Sequence, residues 1–134
     1  MTAGTFGKLY AQTLVTFLAL DAVWIGAVAK AFYAEQIGFL LAPQPNWGAA
    51  VAFYLLYVLG LVAFVVVPAL ARQSTRFAAF SGGFFGLVTY ATYDLTNLAT
   101  VARWPFGVTV VDMIWGTALC ACVAALTVRT RLPR

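Results

Sequence analysis

Long runs of apolar residues, separated by short polar stretches, set the pattern of this chain. Four runs are long enough, at about 20 residues each, to cross the hydrocarbon of a bilayer as α-helices. The spans are predicted at about residues 9–29, 48–71, 77–102 and 107–128. The pattern therefore predicts an all-α fold: an integral membrane four-helix bundle that forms a single membrane domain over residues 1–134.

The connections between these runs differ in length. The longest, residues 30–47, begins with a mixed polar and apolar segment and contains Pro43 and Pro45. Such a segment favours a short amphipathic helix that lies in the membrane interface and stops at the prolines. The other two connections, at 72–76 and 103–106, are predicted to be tight turns.

Basic residues collect on one side of the predicted bundle. With four spans, both termini and the turn at 72–76 share a side, and the opposite side holds only Lys30 and Arg103. The side of the termini carries Lys8, Arg72, Arg76, Arg129, Arg131 and Arg134. Since cytoplasmic loops carry the excess of Lys and Arg, we expect both termini to be cytoplasmic.

Composition agrees with a membrane protein and excludes several other classes. Only 9% of the residues are charged, against roughly 25% in soluble domains. The net charge of +4 does not indicate a nucleic-acid partner, because the arginines lie at helix ends. Histidine is absent, which removes the commonest metal ligand and general base. Cys120 and Cys122 point away from each other on a helix, so we expect packing residues, and neither a metal nor a cofactor.

Three of the four acidic residues lie inside the apolar runs. Asp21 precedes Lys30 by nine residues, Asp94 precedes Arg103 by nine, and Asp112 follows Arg103 by nine. At 1.5 Å per residue, each acid lies ~13 Å from the same face of the membrane. The sequence therefore predicts a layer of three carboxylates at one depth, in the periplasmic half of the bundle.

Hydrogen-bond donors fall near this layer. Tyr90 and Asn97 share a helix face with Asp94, at spacings of four and three residues. Tyr54 and Tyr57 of the second predicted span lie at a comparable depth. Because a buried carboxylate needs donors, we expect these side chains to supply them.

Each of the other two acids is followed by a tryptophan. Trp24 lies three residues after Asp21, and Trp115 lies three residues after Asp112. Each is either an interface or core residue, or a direct contact of a ligand. Three acids at one depth cannot all be ionised cheaply. We expect at least one to carry a proton near neutral pH, unless a cation binds or Arg103 or Lys30 reaches down.

The cytoplasmic halves of the third and fourth predicted spans carry small residues at intervals of four: Ala78, Gly82, Gly86, Gly116, Cys120 and Ala124. This spacing favours close contact between membrane helices. The bundle is therefore predicted to be closed towards the cytoplasm and polar towards the other side.

Four strings carry a resemblance to a known family: Asp21-x-x-Trp24-x-Gly26, Tyr93-Asp94-Leu95-Thr96-Asn97-Leu98-Ala99-Thr100, Trp104-Pro105 and Asp112-x-x-Trp115-Gly116. In these strings the chain resembles a family of small four-span bacterial inner-membrane proteins catalogued as a domain of unknown function. The resemblance covers essentially the whole chain. It implies a multi-pass protein of the bacterial inner membrane, and it implies no particular activity.

The leading hypothesis is a binding or transport protein. Its three-carboxylate pocket would open to the periplasm and hold a proton, a cation or a small amphiphile, with Asp94 as the central acid. The candidate ligand- or proton-binding residues are Asp21, Asp94, Asp112, Tyr90, Asn97, Trp24, Trp115, Tyr57 and Arg103.

Two alternatives stay open. The first is a membrane enzyme that acts on a lipid or isoprenoid substrate through carboxylate acid/base or metal chemistry. The second is an accessory subunit of a membrane complex, in which the acids are structural. The expected partners are the lipid bilayer and either a second copy of the chain or a larger membrane complex, without nucleic acid.

Overall fold

A computed structural model describes residues 1–134 and contains four long helices and no strand. They are α1 (Ala3–Leu40), α2 (Trp47–Ala71), α3 (Thr75–Thr100) and α4 (Phe106–Arg131). The predicted all-α bundle is confirmed. By length and composition, α1, α2 and α4 can cross a membrane, whereas α3 is as long as α4 but less apolar.

Side-chain caps begin three of the four helices. Thr2, Asn46 and Ser74 each accept a hydrogen bond from the backbone N–H three residues further on. Such caps satisfy N–H groups that have no partner in the first turn of a helix. The two connections that follow α2 and α3 are tight turns, as predicted, and each contains one residue with positive φ, Gln73 or Arg103.

The first helix is longer than predicted. It is α-helical over Ala3–Trp24, passes through a π-helical turn at Ile25–Ala29, and is α-helical again over Lys30–Ile37. A helix therefore does follow the first span, and it is continuous with that span instead of forming a separate element. Because no proline precedes Pro43 in this part of the chain, the helix is free to run on to Leu40.

A second π-helical turn, Val62–Val66, interrupts α2 just before Pro68. Proline lacks a backbone N–H and its ring clashes with the carbonyl four residues earlier. A widened turn at this point lets the helix continue past the proline to Ala71.

The apolar core lies in the half of the bundle that contains both chain termini, called here the closed half. Phe17, Leu61 and Leu119 are among its largest fully buried side chains, and they come from α1, α2 and α4. Phe17 packs on the ring of Tyr57, with 5.5 Å between ring centroids. This packed core fills the space between the helices up to the level of Tyr57.

Within the closed half, α3 and α4 pack more closely than any other two helices. A Cβ atom on Gly82 would lie 2.7 Å from the carbonyl oxygen of Cys120, and one on Gly86 would overlap the carbonyl of Gly116. The predicted contact through small residues is therefore confirmed. The members of both series are all buried: Ala78, Gly82, Gly86, Gly116, Cys120 and Ala124.

Candidate functional site

The three acids of the predicted layer are all buried. Asp21 is 8% exposed, Asp94 is 0% exposed and Asp112 is 7% exposed, whereas Glu35 is exposed. Burial of a carboxylate in an apolar medium costs several kcal/mol unless partners compensate for the lost water. The partners of each acid therefore decide what it can do.

Asp21 is the acid whose carboxylate is hydrogen-bonded by side chains of two other helices. The hydroxyl of Tyr54 donates a hydrogen bond to Oδ2 of Asp21 at 2.6 Å, and Nε1 of Trp115 donates one to Oδ1 at 3.2 Å. These two bonds join α1 to α2 and to α4. The donor from α2 was expected at this depth, and Trp115 serves the acid of a different helix from its own.

The two tryptophans predicted beside the acids stack on each other. The rings of Trp24 and Trp115 are nearly parallel, with 4.5 Å between centroids and 9° between planes. Nε1 of Trp24 is buried and has no hydrogen-bond partner. The pair presents an aromatic wall and one free donor.

Asp94 differs from the prediction. Neither of its carboxylate oxygens has a hydrogen-bond partner, so the bonds expected from Tyr90 and Asn97 are absent. The ring of Tyr90 instead lies over Gly116, at the place that a Cβ atom there would occupy. The hydroxyl of Thr109 on α4 donates to the backbone carbonyl of Asp94 at 3.3 Å, so Asp94 lies against α4.

A cavity of about 630 Å³ lies above the closed half, and most of its lining residues are hydrophobic. Asp21 and Asp112 line it, together with the stacked Trp24 and Trp115. Asp94 does not line it. The predicted three-carboxylate pocket is therefore a cavity with two carboxylates, because Asp94 is enclosed between its own helix and α4.

Asp112 is the cavity-lining acid whose carboxylate has no hydrogen-bond partner within the chain. This residue is 7% exposed and lines the cavity, and its carboxylate accepts no hydrogen bond and forms no ion pair within the chain. This arrangement contrasts with that of Asp21, whose two oxygens each accept a hydrogen bond. Of the two buried acids without a hydrogen bond, Asp94 and Asp112, only Asp112 lines the cavity and could meet a ligand there.

Tyr57 forms part of the cavity floor. Since the hydroxyl of Thr89 donates to the carbonyl of Phe85 at 2.8 Å, the hydroxyl of Tyr57 is the donor in its 2.6 Å bond to Thr89. Its oxygen also lies 3.2 Å from Sγ of Cys120. Tyr57 and Tyr90, two of the candidate site residues, line the cavity, and their rings meet edge to face at 6.2 Å.

The basic residues near the predicted layer take different positions. Lys30 lines the cavity, whereas the guanidinium of Arg103 lies 4.2 Å from the centre of the Phe39 ring. Asn97 and Arg103 are not among the lining residues. The roles predicted for these two in ligand or proton binding stay predictions.

Several lining residues were not predicted: Lys30 as a wall of the cavity, Tyr33, Phe53, Thr89 and Tyr93. The helical period was the signal that could have found two of them. Phe53 lies four residues before Tyr57, and Tyr93 lies three residues after Tyr90, so each shares a face with a predicted residue. Tyr33 could not be found in this way, because the connection was not expected to continue the first helix.

The site contains few side chains that could coordinate a metal ion. No group of three or more Cys, Asp or Glu side chains lies close enough together to hold a metal ion. The cavity offers one unpartnered carboxylate, one carboxylate already hydrogen-bonded, an ammonium group, several tyrosine hydroxyls and an aromatic wall with one free indole N–H.

A helical membrane protein with a mainly apolar cavity and buried carboxylates is the class that this fold and site define. The chain belongs to the family described as "Predicted membrane protein (DUF2177)", whose model matches residues 6–129. This match confirms the resemblance seen in the sequence strings. No curated protein and no solved structure matches the chain.

Proposed function

We propose that the cavity binds a small amphiphile with a cationic headgroup. The observation that carries this proposal is the position of Asp112: it is largely buried and lines the cavity, and its carboxylate accepts no hydrogen bond and forms no ion pair within the chain. A cation placed beside it would compensate its charge, because Lys30 lines the same cavity but forms no ion pair with Asp112.

The aromatic wall supports the same ligand class. A cation over the face of a tryptophan ring is attracted by about 0.5–2 kcal/mol, with the larger value where water is excluded. Trp24 and Trp115 lie beside the two acids in the wall of the cavity. The apolar remainder of the lining suits an alkyl chain, and about 630 Å³ is within the usual range for small-molecule sites.

Asp21 would orient this site instead of binding the cation directly. Its two hydrogen bonds hold Trp115 and Tyr54 in place, so it fixes one ring of the aromatic pair. The prediction that one acid carries a proton near neutral pH stays a prediction. Asp94 is the strongest candidate for that proton, because both of its oxygens are buried without a partner.

The proposed placement of the protein in the membrane is the one that its sequence predicts. All four helices, α3 included, would cross a bacterial inner membrane as a single domain over residues 1–134, with both termini in the cytoplasm. The cavity would then lie in the periplasmic half. A homodimer or a larger complex would be needed if the ligand is moved across the membrane.

The proposal is tested by calorimetric titration of the protein in dodecyl maltoside with dodecyltrimethylammonium. We expect saturable binding to the wild type and a loss of at least about tenfold in affinity, which is 1.4 kcal/mol, for Asp112→Asn. The matched control is Glu35→Gln, which removes the one acid that is exposed, and it should bind like the wild type. Equal affinity of the wild type and Asp112→Asn would overturn the proposal.

A further inference from the structure

The helices α2 and α3 are close to each other in the closed half and separate beyond it. The backbones of α2 and α3 lie close together along Val62–Ala71. The backbone of the preceding part of α2, Trp47–Leu61, lies closer to α1, and side chains such as Tyr57 bridge the distance to α3. The hydrogen bond between Tyr57 and Thr89 marks the level at which the two helices part.

The cavity reaches the surface of the bundle in this gap. Phe53 of α2 and Tyr93 of α3 both line the cavity, and they are 50% and 57% exposed. The next lining residue on α2 is Tyr57 and the next on α3 is Tyr90, and both are half-buried at the cavity floor. The gap between Phe53 and Tyr93 is called the portal below. If the four helices cross the bilayer as proposed, this gap opens towards lipid, because exposed apolar side chains such as Phe53 and Leu56 surround it.

The extension of α1 borders the end of the cavity that points away from the closed half. Lys30, Tyr33 and Leu41, from the extension of α1 and the residue after it, line the cavity there. The extension is tied across the bundle by Phe39, whose ring contacts the guanidinium of Arg103 in the turn between α3 and α4. A ligand that came from water at this end would pass these residues on its way to Asp112.

We propose that the ligand enters sideways from the bilayer through the portal, and that it is a membrane lipid with a cationic group in its headgroup. One acyl chain would lie between Phe53 and Tyr93, where it keeps an apolar environment, while the headgroup reaches Asp112 and the stacked tryptophans. This inference rests on the proposed function for the place of the headgroup. It adds the source of the ligand and its route.

The test measures whether an acyl chain reaches the tryptophan pair through the portal. Trp47→Phe and Trp104→Phe leave Trp24 and Trp115 as the only fluorophores of their kind, and Cys122→Ser removes the exposed thiol. Phe53→Cys and Tyr93→Cys are added, and the full chain is placed in vesicles of phosphatidylcholine with brominated acyl chains. Bromine quenches tryptophan on contact, and plain phosphatidylcholine vesicles give the reference.

We expect brominated lipid to quench the pair, bifunctional methanethiosulfonate cross-linking of the two cysteines to remove most of that quenching, and reduction to restore it. The two single-cysteine variants, treated with the same reagent, should keep the quenching. Quenching that is unchanged by the cross-link, or absent before it, would overturn lateral entry.

The outcome separates the portal from the proposed function. A cross-link without effect, combined with lost dodecyltrimethylammonium binding in Asp112→Asn, would reject the portal and keep the headgroup site. A cross-link that removes quenching, combined with unchanged binding in Asp112→Asn, would keep the portal and reject the headgroup site.

Discussion

The two halves of this bundle are built from the same four helices and differ in the size of the residues at the contacts. In the closed half, Gly86 lies directly against the carbonyl of Gly116, and no space is left between α3 and α4. In the other half, aromatic rings and carboxylates stand between the helices and a cavity of about 630 Å³ remains. Small residues bring membrane helices together, and large ones with polar tips hold them apart. The ring of Tyr90 over Gly116 marks the boundary.

Replacement of Gly86 by alanine should have the largest effect, because it attacks the closest contact of the closed half. The new Cβ would overlap the carbonyl oxygen of Gly116. Because this oxygen belongs to the backbone of α4, it cannot rotate away as a side chain could. We expect a loss of about 3 kcal/mol in the free energy of unfolding, at the upper end for overpacked cores. Unfolding in mixed micelles with increasing dodecyl sulfate measures it.

Two other glycines give matched controls for this change. A Cβ on Gly83, in the same helix, would make ordinary contacts of 3.6 Å with side chains of Ala121 and Thr117. A Cβ on Gly26, in the cavity half, would meet nothing within 4 Å. Gly83→Ala and Gly26→Ala should therefore unfold close to the wild type. If all three variants were equally stable, the contrast between the halves would be wrong.

Asp21→Asn should have the next largest effect, since it weakens the one polar junction that joins three helices. The hydroxyl of Tyr54 and Nε1 of Trp115 would face an amide in place of a carboxylate, and one of these donors would meet an NH₂ group. We expect a loss of about 1–3 kcal/mol in the free energy of unfolding and a shift of the tryptophan emission, because Trp115 loses its partner. Unchanged stability and emission would show that Asp21 does not hold the two rings.

The sequence predicts the closed half better than the cavity. Close packing depends on residue size and a period of four, and both are visible along the chain in Gly82, Gly86 and Cys120. The burial of the acids is likewise visible, because Asp21 and Asp112 stand in apolar runs.

The hydrogen-bond partners of each acid depend on contacts between helices. The residue pattern of one helix does not predict those contacts. Asp94 was expected to receive bonds from Tyr90 on its own helix, but the ring of Tyr90 is drawn to the space over Gly116. Asp21 is satisfied by Trp115, which lies 94 residues further along the chain. The continuation of α1 was missed because the mixed polarity of the segment after Lys30 also fits an interfacial helix.

Tyr57→Phe tests the boundary between the halves, with a smaller expected effect. The variant keeps the ring that packs on Phe17 and loses the hydrogen bond to Thr89. Side-chain hydrogen bonds between membrane helices contribute about 0.6 kcal/mol on average, so we expect a loss near that value in the same unfolding assay. Tyr33→Phe is the control, because the hydroxyl of Tyr33 takes part in no hydrogen bond within the chain, and a larger loss there would contradict this assignment.

The central claim is that the unpartnered carboxylate of Asp112 makes the cavity a site for a cationic amphiphile. The most direct measurement is untargeted mass spectrometry of the lipids and small molecules that stay with the gently extracted protein. The account predicts that the wild type and Glu35→Gln retain the same amphiphile with a cationic group, and that Asp112→Asn loses it while it remains folded. Retention of the same species by Asp112→Asn, or retention of anionic amphiphiles alone by the wild type, would contradict the account.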